Sequence, residues 1–121
     1  MCGDSHGKGN NEVIKKDGGQ SIADLIGYFS NSILCTTILK KTTGHVIISS
    51  FDKGESFTEK ISPFDSFIQI IEGKAEIIIH KKSNILFSGQ GIIIPAHAPN
   101  IIRAPGRFKM LQTIIKSGYE L

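Results

Sequence analysis

A chain of 121 residues is long enough for one packed core and too short for two. With 40% hydrophobic and 21% charged residues it is not a disordered polymer, and no window reaches the ~18 consecutive apolar residues that a membrane-spanning helix needs. The net charge of +3 comes from scattered lysines, with Arg103 and Arg107 as the only arginines and no basic stripe interleaved with aromatics, so nucleic acid is not an expected partner.

Residues 1–20 are rich in Gly, Asn, Asp and Lys without an apolar period, which predicts a flexible arm ahead of one folded unit over 21–121. The opening MCGDSHGKGNNEVIKK lacks the apolar core of a secretory signal, so a cytoplasmic protein with no membrane partner is expected. Cys2 and Cys35 are too few for a disulfide framework and read as reduced thiols, Cys35 as a small core residue. Cys2 and His6 on a flexible segment do not make a metal site.

Ser21 can cap a short helix over SIADLIGYF, with Ile22, Leu25, Ile26 and Phe29 on one face. From Ile33 the rhythm changes to brief β-branched runs between turn residues: ILCTTILK, HVIISSF, FIQIIEG, KAEIIIHKK, a turn at Ser83-Asn84, ILFSG, QGIIIPA and FKMLQTIIK. Many short strands at this spacing predict an all-β sandwich or small barrel with a short N-terminal helix. Runs such as IIIH and GIIIP lack clean alternation, as in strands covered on both faces, where a barrel wall doubles as a homodimer interface, or as an overall bias toward Ile and Lys would equally produce.

Two glycine-punctuated stretches carry a family likeness. In GESFTEKISPFDSFIQIIEG, Gly54 and Gly73 stand at the two glycine positions of the first cupin motif; in GQGIIIPAHAPN, Gly89 and Pro95 fall in register with the second. From Ile33 to Lys116 the chain resembles the small single-domain cupins, which implies a double-stranded β-helix, or jelly-roll, barrel. The motifs place a metal-binding histidine pair at Lys60 and Ser62, a glutamate at Ser66 and a histidine at Asn100, so all four family ligands are replaced here. An ammonium, hydroxyls and an amide are poor partners for a divalent transition ion, and no metal or other cofactor is expected. His97 stands where the second motif has a glycine.

The resemblance leaves a pocket without its metal. Lys60, were it to project inward, could anchor an anion or act as a base; an exposed loop lysine is the plainer reading. Ser62, Ser66 and Asn100 could orient a small ligand or simply be hydrated. Met110 and Gln112 share one parity on the last strand and line the pocket if that face is inward, while His97 suits the pocket rim. His45, His80 and His97 are the candidates for a relocated metal, though nothing in their spacing brings them together. The expected function is therefore binding or sensing of a small molecule, sugar-like or carboxylate, without metal-dependent turnover. The alternatives are a metal-independent isomerase, epimerase or lyase using Lys60 or His97, and a structural barrel that pairs with another protein.

Overall fold

Isoleucine-rich runs separated by Gly, Asp, Asn and Pro leave the chain little choice but strands. The computed structural model describes residues 17–59 and 61–116. Among them run β1 (Ile33–Lys41), β2 (Gly44–Phe51), β3 (Ser56–Glu59), β4 (Asp65–Ile79), β5 (Lys82–Phe87), β6 (Gly91–Ile94), β7 (Asn100–Arg103) and β8 (Phe108–Ile115). Every pairing is antiparallel, in the order β1-β2-β8-β4-β7-β3, with β5 and β6 also on β4. The all-β fold expected from the sequence is the one observed, a curled sheet whose concave side holds the core.

β4 organises this curl. Its first half pairs with β6 and β8, its second half with β5 and β7, so one strand belongs to both walls. The sequence suggested two strands, FIQIIEG and KAEIIIHKK. They are continuous through Gly73, whose φ of +84° redirects the chain without ending it. The first hairpin turn after Gly73 also comes earlier than expected. His80 and Lys81, with φ of 51° and 68°, make a two-residue turn of the I′ kind between the paired Ile79 and Lys82. Ser83 and Asn84 lie inside β5, where Asn84 Nδ2 donates back to the carbonyls of Ile77 and Lys82, both at 3.2 Å. β3 and β7, four residues each, are strands the sequence did not announce; they pair with each other, and β7 also pairs with β4.

The core is Phe51, Ile68, Ile70, Ala75, Ile77, Ile94, Ala98, Ile102, Ala104, Phe108 and Met110, drawn from both walls. Phe51 and Phe108 stack at its centre with centroids 4.6 Å apart.

The expected N-terminal helix shrinks to one 3-10 turn, Ile22–Leu25, and Ser21 makes no side-chain cap. The barrel takes the carbonyls that a longer helix would have used: Lys109 Nζ donates to Ala23 O at 2.6 Å and Ser50 Oγ to Gly27 O at 2.7 Å. Tertiary hydrogen bonds thus hold the segment largely extended against the outer wall. Tyr28 fastens it. Its hydroxyl donates to Glu72 Oε2 at 2.6 Å, and Arg107 and Lys109 each lie 5.0 Å from its ring centroid. Nearby, Arg107 Nε donates to Asp52 Oδ1 at 2.8 Å and the Asn31 N–H to Asp52 Oδ2 at 2.6 Å, which together hold the Asp52 carboxyl below its usual range.

Burial, and then the hydrogen bond and charge of Glu72, push the Tyr28 phenol well above its ordinary value of about 10, with Arg107 opposing. The folded state therefore prefers neutral Tyr28. Its contribution is complete below the unfolded value near pH 10 and is lost as the pH rises beyond it toward the higher folded value. In a Tyr119→Phe background, absorbance at 295 nm should show no phenolate midpoint near pH 10 while the protein stays folded; an ordinary midpoint would mean that the Glu72 bond does not persist in solution.

Cys35 is disulfide-bonded, which corrects the reduced thiol expected from composition; a rule about cysteine-dense frameworks does not register a single cross-link. The other cysteine, Cys2, lies outside the described residues, as do most of the predicted arm and Lys60. No helix among the described residues is long and apolar enough to cross a membrane.

Candidate functional site

At one end of the curl the loops before β4 and before β7 are laced together. The His97 N–H donates to Ser62 O at 2.6 Å, and the Ala96 N–H to Asp65 Oδ1 at 2.7 Å. Ser62 Oγ accepts the Phe64 N–H at 3.1 Å and so closes the turn over Pro63. Asp65 and Ser62 thereby set the shape of the mouth.

Beneath these loops lies a cavity of about 30 Å³ lined by Ser62, Phe64, Ser66, Ile94, Pro95, Ala98, Asn100, Gln112 and Ile114. Four of the sequence candidates, Ser62, Ser66, Asn100 and Gln112, thus share one space, contributed by the 61–64 loop, β4, β7 and β8. Ser66 and Gln112 are joined directly, Gln112 Nε2 lying 3.3 Å from Ser66 Oγ. Asn100 is 6% exposed and uses its Nδ2 on Ala98 O at 3.1 Å. Its Oδ1 is buried without a hydrogen-bond partner among the described residues. An unpaired buried acceptor costs roughly 1–3 kcal/mol, so this oxygen is an open demand for a donor.

The remaining candidates fall elsewhere. Met110 belongs to the core cluster and does not line the cavity. His97 is exposed on the 95–99 loop with φ of +68°, a conformation that explains a glycine at this point of the family motif. Lys60 is not among the described residues. Phe64 and Ile114 are lining residues that the sequence reading did not select. Ile114 lies two positions from Gln112 on β8, where strand parity was the available signal, whereas Phe64 stands in the loop before β4 and carried no such period.

The donors that face the cavity are two hydroxyls and two carboxamides. They do not fit a divalent transition ion, which prefers imidazole, thiolate or carboxylate. Among the described residues no three His, Cys, Asp or Glu side chains form a group that could hold a metal, and His45, His80 and His97 therefore do not assemble a relocated site. What the cavity can do is accept and donate neutral hydrogen bonds to a group the size of a water or a hydroxyl.

No protein-family model and no curated protein matches the chain. Solved structures do. A conserved protein of unknown function from Streptococcus pyogenes superposes with a TM-score of 0.83 at 25% identity, over 89% of this chain and 95% of that one. A cupin superfamily protein from Desulfitobacterium hafniense gives 0.82 at 26% identity over 90% of this chain and all of its own. A cupin 2 conserved barrel domain protein from Leptotrichia buccalis gives 0.75 at 26%, over 78% of this chain and 46% of that longer one. With the curled antiparallel barrel, the positive-φ glycines of both motifs and these neighbours in hand, the chain has the fold of a small cupin domain.

Proposed function

We propose that this cupin-fold protein is a small-molecule binding or sensing module that works without the family's transition-metal centre. The observation that carries the reading is Asn100 Oδ1, buried and without a hydrogen-bond partner among the described residues, at the wall of a cavity lined otherwise by neutral polar and apolar groups. A cavity of about 30 Å³ admits only a few atoms, so a sugar-like or carboxylate ligand would insert a single hydroxyl donor here and leave its bulk outside. The enzyme reading is weaker. It needs two titratable groups facing one space, and the titratable candidate that is described, His97, does not line the cavity.

The homodimer remains part of the proposal. Phe67 and Ile93 are cross-strand partners on the outer face of β4 and β6, 41% and 60% exposed, and sedimentation velocity reads whether they are covered in solution.

Asn100→Leu separates binding from packing. If the side chain exists for a ligand, removing the unpaired acceptor should leave the melting temperature within a few degrees of the parent, while the thermal shifts produced by a panel of glycerol, glycolate and lactate disappear. Zn²⁺, Mn²⁺, Fe²⁺ and Ni²⁺ should stabilise neither protein. Stoichiometric stabilisation by one of these ions would defeat the metal-independent reading, and a panel effect unchanged by Asn100→Leu would move the ligand away from this cavity.

A further inference from the structure

The cavity end of the barrel carries a second feature, with charge of one sign. β1 ends in Lys40 and Lys41, the turn to β2 is Thr42-Thr43, and Lys116 follows the end of β8. The Lys116 N–H donates to Thr43 O at 2.7 Å, which ties the end of β8 to the hairpin turn. These five residues line an open concavity of about 670 Å³. The ammonium of Lys116 sits 5.7 Å from the centroid of the Phe64 ring, and Phe64 is also a wall of the inner cavity. The basic concavity and the neutral cavity are therefore neighbours across one aromatic side chain.

Among the described residues the three lysines are not spent on carboxylates. The ion pairs among the described residues are Arg103 with Glu76, Arg107 with Asp52 and Lys109 with Glu72, none of which involves Lys40, Lys41 or Lys116. The nearest acidic residue by register, Asp65, pairs across the ladder with Ile115 and gives its Oδ1 to the Ala96 N–H. Three like charges gathered around a hollow, with two hydroxyls that can donate between them, raise the local concentration of anions. Lysine is suited to this as a mobile point charge for phosphate or carboxylate, whereas a nucleic-acid groove would call for a longer track with arginine and stacking aromatics.

We propose that Lys40, Lys41 and Lys116, with Thr42 and Thr43, form a binding site for the oxyanion group, phosphate or carboxylate, of a small molecule. The site stands on its own geometry. It does not require the inner cavity to hold a ligand, and Phe64 is the place at which one molecule could reach both.

Inorganic phosphate is the direct probe. In ¹⁵N-resolved titrations of the full chain at low ionic strength, the amides of Thr42, Thr43, Gly44 and Lys116 should shift and saturate. The variant Lys40→Gln/Lys41→Gln should weaken that affinity about tenfold, while Lys81→Gln/Lys82→Gln, which removes equal charge at the β4–β5 turn outside the lining of the concavity, should change it less than about twofold. Citrate, carrying carboxylates only, distinguishes the two oxyanion sources by its affinity relative to phosphate. Asn100→Leu should retain the phosphate shifts, so failure of the inner cavity as a binding site is read separately. Shifts that never saturate, equal losses in the two double variants, or binding confined to a DNA oligonucleotide or to phosphatidylserine vesicles would each overturn the assignment.

Discussion

Gly73→Ala is expected to cost at least about 3 kcal/mol and to leave the chain close to unfolding at ordinary temperature. A Cβ built at Gly73 would lie 2.2 Å from the Arg107 carbonyl oxygen and 2.9 Å from Phe108 Cα, and both are backbone atoms that cannot swing aside. The positive φ adds a penalty of about 1–2 kcal/mol on its own. Gly54 supplies the control, since its φ of +88° is similar but nothing lies within 4 Å of its Cβ position. Gly54→Ala should therefore show the conformational penalty alone. Urea midpoints of the two variants test this, and equal losses would mean that β8 can retreat from β4 at little cost.

Phe108→Ala is expected to cost about 3–5 kcal/mol, a large share of the roughly 5–15 kcal/mol that holds a domain of this kind together. The ring is 0% exposed and stacks on Phe51 at an interplanar angle of 16°, so truncation removes both its burial and the aromatic contact. Phe67→Ala is the comparison, because Phe67 is 41% exposed and should lose only about 1 kcal/mol. A loss below about 2 kcal/mol for Phe108→Ala would show that the core collapses to refill the space. Gly73 and Phe108 are register partners, so their losses should not add in the double variant.

Much of the barrel was legible before any coordinates. The strand class follows from β-branched runs between turn residues, which are local signals. The motif glycines Gly54, Gly73 and Gly89 were readable for a related reason, since each sits at positive φ, where other residues are strained. Motif register also carried Ser66 and Asn100, on β4 and β7, and Ser62, on the loop before β4, to the wall of one cavity, because a shared motif brings its positions to the same end of the barrel.

Parity alone could not do the same for the last strand. Met110 and Gln112 face the same side of β8, but Met110 pairs with Ile70 inside the core while Gln112 pairs with Ile68 toward the mouth. Depth along a strand is set by where its partners end, which no local period encodes. The short β3 and β7 are strands because they pair, the helix of residues 21–29 gave way when Lys109 and Ser50 captured its carbonyls, and Cys35 was cross-linked where composition predicted a thiol. Sequence by itself determined the class of structure and the positive-φ glycines of the motifs, which rest on the preferences of single residues. Tertiary structure alone decided what meets what: the unpaired Asn100 oxygen, the Tyr28 clasp and the lysine hollow beside Phe64 exist only once residues far apart in the chain are brought within bonding distance.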